Sequence, residues 1–454
     1  MLNKARLYNF IQLHRMKSML VVLIIIISTQ ILDTSLNRIN TFIINLYSSF
    51  WNLCIFIILI FAFLVAQYFI LKYVLPEVKG IRIGGKIRST SMHFSVMIAQ
   101  FVLATILLLV ILQIVMNSQY DTRLIISSAA VSYFISIFMM SILTQRFLAW
   151  FFHNRKPVVL FYGIATASIC VNAALTFTIM DLLLIGQPFN AEQTVQGVAP
   201  FLPNEVNFLY DAFTASSILS FTLTWIATAF LFYHYSQKLA GVRFWILISL
   251  PLVYYALQFM PSFLNLLYSY KFTDPVTFGI LYTIVFAASK TAGGILFAAA
   301  FWSLAKKMRD RRLKKYMIIS AIGLALVFSS DQAIILSGRP YPPFGLYTIC
   351  FLGLASYLAL VGIYYAAISA AQDSNLRLLI RDSVRRQSNL LDFISSAQME
   401  VQIRNTILEI LNKTSLEMNS DTGVQSSLSD QEIRLYIDEA LTEVKKARGM
   451  KSDK

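Results

Sequence analysis

The chain has 454 residues, of which 57% are hydrophobic and only 13% charged, with a formal net charge of +15. Soluble domains carry about 25% charged residues, so this composition excludes an ordinary water-soluble enzyme and makes lipid the solvent to reason from. The positive excess lies in short loops between apolar runs, where it reads as a topology signal and leaves no need for a nucleic-acid partner.

Residues 1–17 interleave Leu2, Leu7, Phe10 and Ile11 with cations, the pattern of a short amphipathic segment lying on a membrane surface. A span needs about 20 apolar residues to cross about 30 Å of hydrocarbon. Ten candidates follow within residues 18–372: 18–36, 50–75, 93–116, 124–151, 158–186, 208–235, 244–268, 276–304, 316–336 and 344–371. Basic residues before a short apolar core give the first run some likeness to a secretory signal, but no A-x-A-like cleavage site follows it.

Lysines and arginines in the connecting segments divide 21 to 4 between alternate sides. Lys79, Lys156, Lys238 and the run Lys306 to Lys315 fall on the rich side; Arg38, Arg123, Lys271 and Arg339 make up the poor one. The positive-inside rule then places both termini in the cytoplasm and the bundle in the cell membrane. The expected fold is all-α, a polytopic bundle of about ten transmembrane helices with a C-terminal cytoplasmic helical tail.

Ionisable groups inside a span are expensive and mark candidate sites. Asp181, Asp211 and Asp331 each sit four or five residues from the outer ends of their spans, roughly 7 Å deep at 1.5 Å per residue. Lys290 is deeper, about 14 residues into the eighth span, among Ala287, Ala288, Ser289, Thr291, Gly293 and Gly294. Spans eight and nine are joined by a short loop, and a lysine side chain reaches about 6 Å outward, so a Lys290–Asp331 pair is geometrically possible, either as the floor of an outward-open polar pocket or as an internal strut. In span seven, Pro251 and Pro261 bracket Gln258, which predicts one kinked helix with an amide near the midplane. Together with Arg339 these residues form the expected ligand-binding set: Asp181, Asp211, Gln258, Lys290, Asp331 and Arg339. The remaining acidic residues, among them Asp33, Asp121, Glu192, Glu205 and Asp274, also favour the outer half, where they would concentrate cations.

Cys54, Cys170 and Cys350 lie scattered within spans, and His14, His93, His153 and His234 have no paired spacing, so no metal or other cofactor is expected. No catalytic motif appears. Beyond residue 372 there is no histidine, and the only glycines are Gly423 and Gly449, which excludes a phosphoaccepting histidine module and a glycine-rich nucleotide loop.

The tail divides into a juxtamembrane amphipathic helix (373–418), a linker rich in Ser, Thr, Asp and Gly (419–429) and a last amphipathic helix (430–454). Arg377, Arg381, Arg385 and Arg386 recur within about three turns past the last span, a spacing suited to an anionic leaflet at roughly 1 kcal/mol per cation. Leu391, Ile394, Gln398, Val401, Asn405 and Leu408 form a stripe that fits either a short parallel coiled coil or a helix lying back on the bundle. In the last helix, Ser429 and Glu432 have capping-box spacing, and the apolar face that follows implies a partner, either the same chain, a second copy or a cytoplasmic protein.

The stretch 338–402, from GRPYPPFGLYTICFLGLASYLALVGIYYAAIS through DSNLRLLIRDSVRRQSNLLDFISSAQMEVQ, resembles the last span and juxtamembrane helix of uncharacterised multi-spanning membrane proteins of ammonia-oxidising archaea. That resemblance covers about a seventh of the chain. It implies an archaeal membrane protein with a sensor-like order of span followed by helix, and it carries no activity onto any residue.

The expected function is therefore a non-enzymatic, sensor or receptor-like membrane protein, with an outward-facing polar pocket coupled to its cytoplasmic tail. The alternative is a secondary transporter of a small solute, cationic if the outer acids attract it. Single cysteines placed at Lys79, Lys156, Lys238 and Lys307 should stay unlabelled by an impermeant maleimide in intact cells, while those at Glu192 and Lys271 react. Labelling at Lys307 would overturn the topology.

Overall fold

The computed structural model describes residues 19–37, 50–79, 86–117, 120–184, 204–236, 241–308, 310–331 and 342–372, together with 394 and 397–399. Among them there are helices and no strand, as expected where lipid offers no partner to a main-chain amide. Among the described residues ten helices are long and apolar enough to cross a membrane, so the chain is a multi-pass membrane protein. In chain order the elements are α1 (Met19–Asn37), α2 (Phe50–Lys79), α3 (Lys86–Asn117), α4 (Thr122–Asn154), α5 (Pro157–Leu184) and α6 (Asn204–Ser236). They continue as α7 (Gly241–Ala256), α8 (Pro261–Thr273), α9 (Pro275–Tyr282), α10 (Ser289–Lys307), α11 (Arg311–Ser330) and α12 (Tyr347–Gln372).

Local chemistry sets the ends. Prolines open α5, α8 and α9, where the missing amide has no helical partner to lose. Asp121 caps α4 through the Arg123 amide at 2.9 Å, and Asp310 caps α11 through the Leu313 amide at 2.8 Å. Asp274 caps α9 by accepting from the Thr277 hydroxyl at 2.5 Å and amide at 3.2 Å, and those two bonds hold its carboxyl below the usual range.

The helix faces are sorted for lipid. In α1, Leu20, Val21, Ile24, Ile25, Ile31 and Leu32 are exposed, while Gln30, Asp33, Thr34 and Asn37 turn inward. Polar groups inside and apolar groups outside suit a hydrocarbon solvent.

At the centre stand α11 and α12, with 94% of the most apolar stretch of α12 buried. Two glycines let them meet backbone to backbone. A Cβ on Gly323 would lie 2.4 Å from the Ala359 amide nitrogen, and one on Gly362 would lie 2.4 Å from that of Ser320. Such small-residue crossings are the usual way for helices to associate in lipid.

Polar contacts then tie α12 to five neighbours. The Gln67 amide donates to the Cys350 carbonyl at 2.7 Å from α2, His93 Nδ1 meets the Tyr357 hydroxyl at 2.6 Å from α3, and Ser136 meets Ser356 at 2.7 Å from α4. From α11, Ser329 meets the Tyr347 hydroxyl at 2.8 Å. The fifth contact comes from α1: the buried Asp33 carboxylate accepts from the Gly345 amide at 2.9 Å and the Tyr347 amide at 3.0 Å, capping α12 from another helix. Gly345 has φ 94°, a left-handed conformation that a side chain would strain.

Two expectations need correction. Span seven is two helices: α7 gives way to a 3₁₀ turn (Leu257–Phe259), Met260 is extended, and Pro261 begins α8. The residue before a proline is pushed to the extended region, so Pro261 starts a helix and only Pro251 lies inside one. Span nine ends at Ser330, which makes Asp331 the C-cap of α11 and not a residue within it. The N-terminal segment, Arg339, the linker and the last helix lie outside the described residues, as do Arg377, Arg381, Arg385 and Arg386.

Replacing Gly362 by Ala should force α11 and α12 apart, at the cost of about 1–3 kcal/mol that overpacking brings. A Cβ on Gly163 would meet side chains alone, Phe147 at 3.3 Å and Leu148 at 3.5 Å, so Gly163→Ala should be milder. Melting temperatures in detergent would rank the two, and an equal loss would contradict the proposed closeness of the central pair.

Candidate functional site

Where α11 stops, its last carbonyls lack helical partners, and Asp331 sits at that end with its carboxylate. The Lys290 ammonium donates to the Asp331 main-chain carbonyl at 2.7 Å and lies 3.3 Å from Oδ2. It also stands 5.1 Å above the Phe213 ring centroid. All three residues are buried, so carboxylate, helix terminus and aromatic face together replace the water that the ammonium lost.

The pair belongs to a closed circuit. Asn172 of α5 donates to Asp331 Oδ2 at 3.2 Å, and the Ser216 hydroxyl of α6 donates to Asn172 Oδ1. Ser216 lies one turn beyond Phe213, which brings the circuit back to the lysine. Four helices, α5, α6, α10 and α11, are joined through one carboxylate.

Polar side chains line the approaches. From α1, Gln30 donates to the Ser329 carbonyl at 3.0 Å and accepts from the Thr291 hydroxyl at 3.1 Å, one residue past Lys290. Tyr255 of α7 pairs with Ser217 at 3.0 Å, stacks on Phe221 at 4.0 Å and has Gln258 beside it. Tyr133 of α4 lies within electrostatic reach of Asp331, and its buried hydroxyl has no hydrogen-bond partner among the described residues.

The structure therefore brings Lys290 and Asp331 into direct contact and puts buried Gln258 beside Tyr255, which lies within electrostatic reach of Asp331. It leaves two expected members apart: Asp181 is half-buried and Asp211 exposed, and neither side chain is joined to the pair by a hydrogen bond or ion pair among the described residues. Nearness to a span end fixed their depth but not their facing. Asp33, Gln30, Asn172 and Tyr133 were not anticipated. Their signal was there in α1, where Gln30, Asp33, Thr34 and Asn37 recur at spacings of three and four on one face of an apolar run.

A buried ion pair adds little net stability, yet removing one partner strands the other. Lys290→Met or Asp331→Asn alone should cost about 3–5 kcal/mol, and the double variant should recover much of that loss. Thermal unfolding of the two singles and the double in detergent tests it. Strictly additive losses would show that the residues do not interact.

Neither protein-family models, curated proteins nor solved structures provide a match to this chain.

Proposed function

We propose that the protein is a non-enzymatic, receptor-like membrane sensor, in which the Lys290–Asp331 cluster takes a small polar ligand and the cytoplasmic tail reads the result. The observation that carries this reading is a contact between tail and bundle. Ile394, Ala397 and Gln398 are buried, and the indole N–H of Trp150, itself fully buried, donates to Gln398 Oε1 at 3.0 Å. Of the two forms expected for the tail stripe, these residues favour the helix lying back on the bundle. Without Gln398, Trp150 would keep a buried donor with nothing to bind.

A route connects the dock to the cluster. Trp150 packs on Phe147 at 5.4 Å, Phe147 on Tyr162 at 5.7 Å and Tyr162 on Phe301 of α10 at 6.0 Å. One turn back along α10, Phe297 meets Phe221 at 5.4 Å, and Phe221 stacks on Tyr255. Contiguous packing supplies a path; coupling has to be measured.

The charge of the cluster narrows the ligand. One buried ammonium and one buried carboxylate already balance, and a net charge brought into that interior would stand uncompensated. A small neutral or zwitterionic solute fits, its own charges exchanging with the pair and its apolar part against Phe213, Phe221 and Tyr255. With the basic end of the bundle in the cytoplasm, such a ligand arrives from the opposite face.

A secondary transporter is the second reading, favoured by the interrupted helix at Met260, whose neighbour Phe259 packs on Tyr255 at 5.5 Å, since broken helices line transport sites. Limited proteolysis of the tail in proteoliposomes separates the two. Trp150→Phe removes the donor and should speed tail cleavage. In a sensor the distant Lys290→Met, about 25 Å along α10 from its basic end, should speed it as well. Cleavage that responds to Trp150→Phe but not to Lys290→Met would overturn the coupling and leave transport.

A further inference from the structure

Lys290 follows directly on a π-turn over Thr283–Ala288, a widened turn of the kind that gathers at functional sites. Close to its cluster, one buried group has nothing to bind. The Tyr133 side chain of α4 is 1% exposed, and its hydroxyl has no hydrogen-bond partner among the described residues. Other buried tyrosines are provided for: Tyr255 meets Ser217, Tyr347 meets Ser329 and Tyr357 meets His93. A phenol shut away from water without an acceptor is a cost that phenylalanine would avoid in the same space.

Three observations place that hydroxyl at Asp331. Tyr133 lies within electrostatic reach of the Asp331 carboxylate. Its ring rests on Phe177 of α5 with centroids 6.3 Å apart, and α5 also supplies Asn172, which donates to Asp331 Oδ2. The helix directions agree. Contacts Ser132–Gly353 and Ser136–Ser356 advance in the same sense along α4 and α12, whereas Gly323–Ala359 and Ser320–Gly362 advance in opposite senses along α11 and α12. The start of α4 and the end of α11 therefore share one side of the bundle. Side chains on a helix lean toward its start, so the phenol leans toward the end of α11, where Asp331 stands. Ser132 accepts from the Gly353 amide at 3.2 Å, which fixes this part of α4 on α12.

We propose that the Tyr133 hydroxyl is a ligand-binding donor of the Lys290–Asp331 site, and that the ligand is a compact zwitterion of the α-amino acid class. The inference rests on the reading of the cluster as a ligand site. Lys290 and Asp331 stand 3.3 Å apart, so a ligand that exchanges with both must carry its own charges on neighbouring carbons. Its carboxylate takes the Lys290 ammonium and the Tyr133 O–H, a charge-assisted bond. Its ammonium takes the Asp331 carboxylate. The phenol then has its acceptor, and no net charge enters the interior. A zwitterion with its charges several carbons apart could not exchange with a pair in contact.

The test is thermal unfolding of the full chain in detergent with millimolar glycine or L-alanine, and with γ-aminobutyrate and glycerol as controls. A ligand that binds the folded protein raises its melting temperature, and a titration returns the affinity. Glycine or L-alanine should stabilise the parent, and neither control should. Tyr133→Phe should melt no lower than the parent without ligand, because the lost hydroxyl has no partner. It should also bind the amino acid at least about tenfold more weakly, the loss expected of one hydrogen bond to a charged group. A lower unliganded melting temperature would show that the hydroxyl already serves the fold, and that overturns the inference, as does unchanged affinity. Equal stabilisation by γ-aminobutyrate, or none by either amino acid, overturns the ligand class. The double variant Lys290→Met with Asp331→Asn separates the two readings. Binding that survives in it puts the ligand elsewhere and sinks the cluster as a site, whereas binding lost in it but kept in Tyr133→Phe sinks Tyr133 alone.

Discussion

An ammonium group carried into hydrocarbon has to meet negative charge, and Asp331 offers it twice, through its carboxylate and through the main-chain carbonyl left free where α11 stops. Much of the bundle on that side follows from the demand. Asn172 and Ser216 are drawn in to complete the carboxylate's shell, which brings α5 and α6 to the same point. Phe213 closes the remaining side of the ammonium with its ring face. A cluster so complete is stiff, and ligand entry there calls for movement of neighbouring backbone rather than for a vacant cavity.

The middle of the bundle solves the opposite problem. Lipid gives α11 and α12 no hydrophobic drive to associate, so Gly323 and Gly362 bring backbones within reach and dispersion does the rest. Around that pair, α12 spends its polar groups on its neighbours: hydroxyls on α4 and α11, a carbonyl on α2, a phenol on α3. A central helix pinned in this way is a rigid lever. Asp331 lies at the far end of its partner α11, and the tail follows its own C-terminus.

Much of this was legible in the chain itself. Apolar run length alone located the ten crossing helices, because hydrocarbon thickness is a hard ruler. That Lys290 could reach Asp331 followed from depth, side-chain reach and a short connecting loop, and the structure joins them. What run length cannot convey is which way a side chain faces, and so Asp181 and Asp211 were grouped with Asp331 although they stay apart from it. The broken backbone was half visible: Pro261 announced an interruption, but whether a proline kinks a helix or opens a new one depends on the residue before it, and Met260 went extended. The π-turn at Thr283–Ala288 left no mark in a sequence of ordinary helix-compatible residues. Asp33 looked like one more acid on the outer side, since a cap across helices is a matter of tertiary placement.

That cap has a consequence for how the protein is made. Asp33 and the amides it holds are separated by 312 and 314 residues, so α1 is completed only by a helix made long after it. Through the synthesis of spans two to nine, Asp33 waits in or near the bilayer without the two donors that make its burial tolerable, and Gln30 waits likewise for Ser329 and Thr291. Contacts this distant in sequence form late and slowly. The arrival of α12 therefore draws α1 back into the bundle at a late stage, and a nascent chain stalled before that point would present an acidic, unpaired helix to membrane quality control.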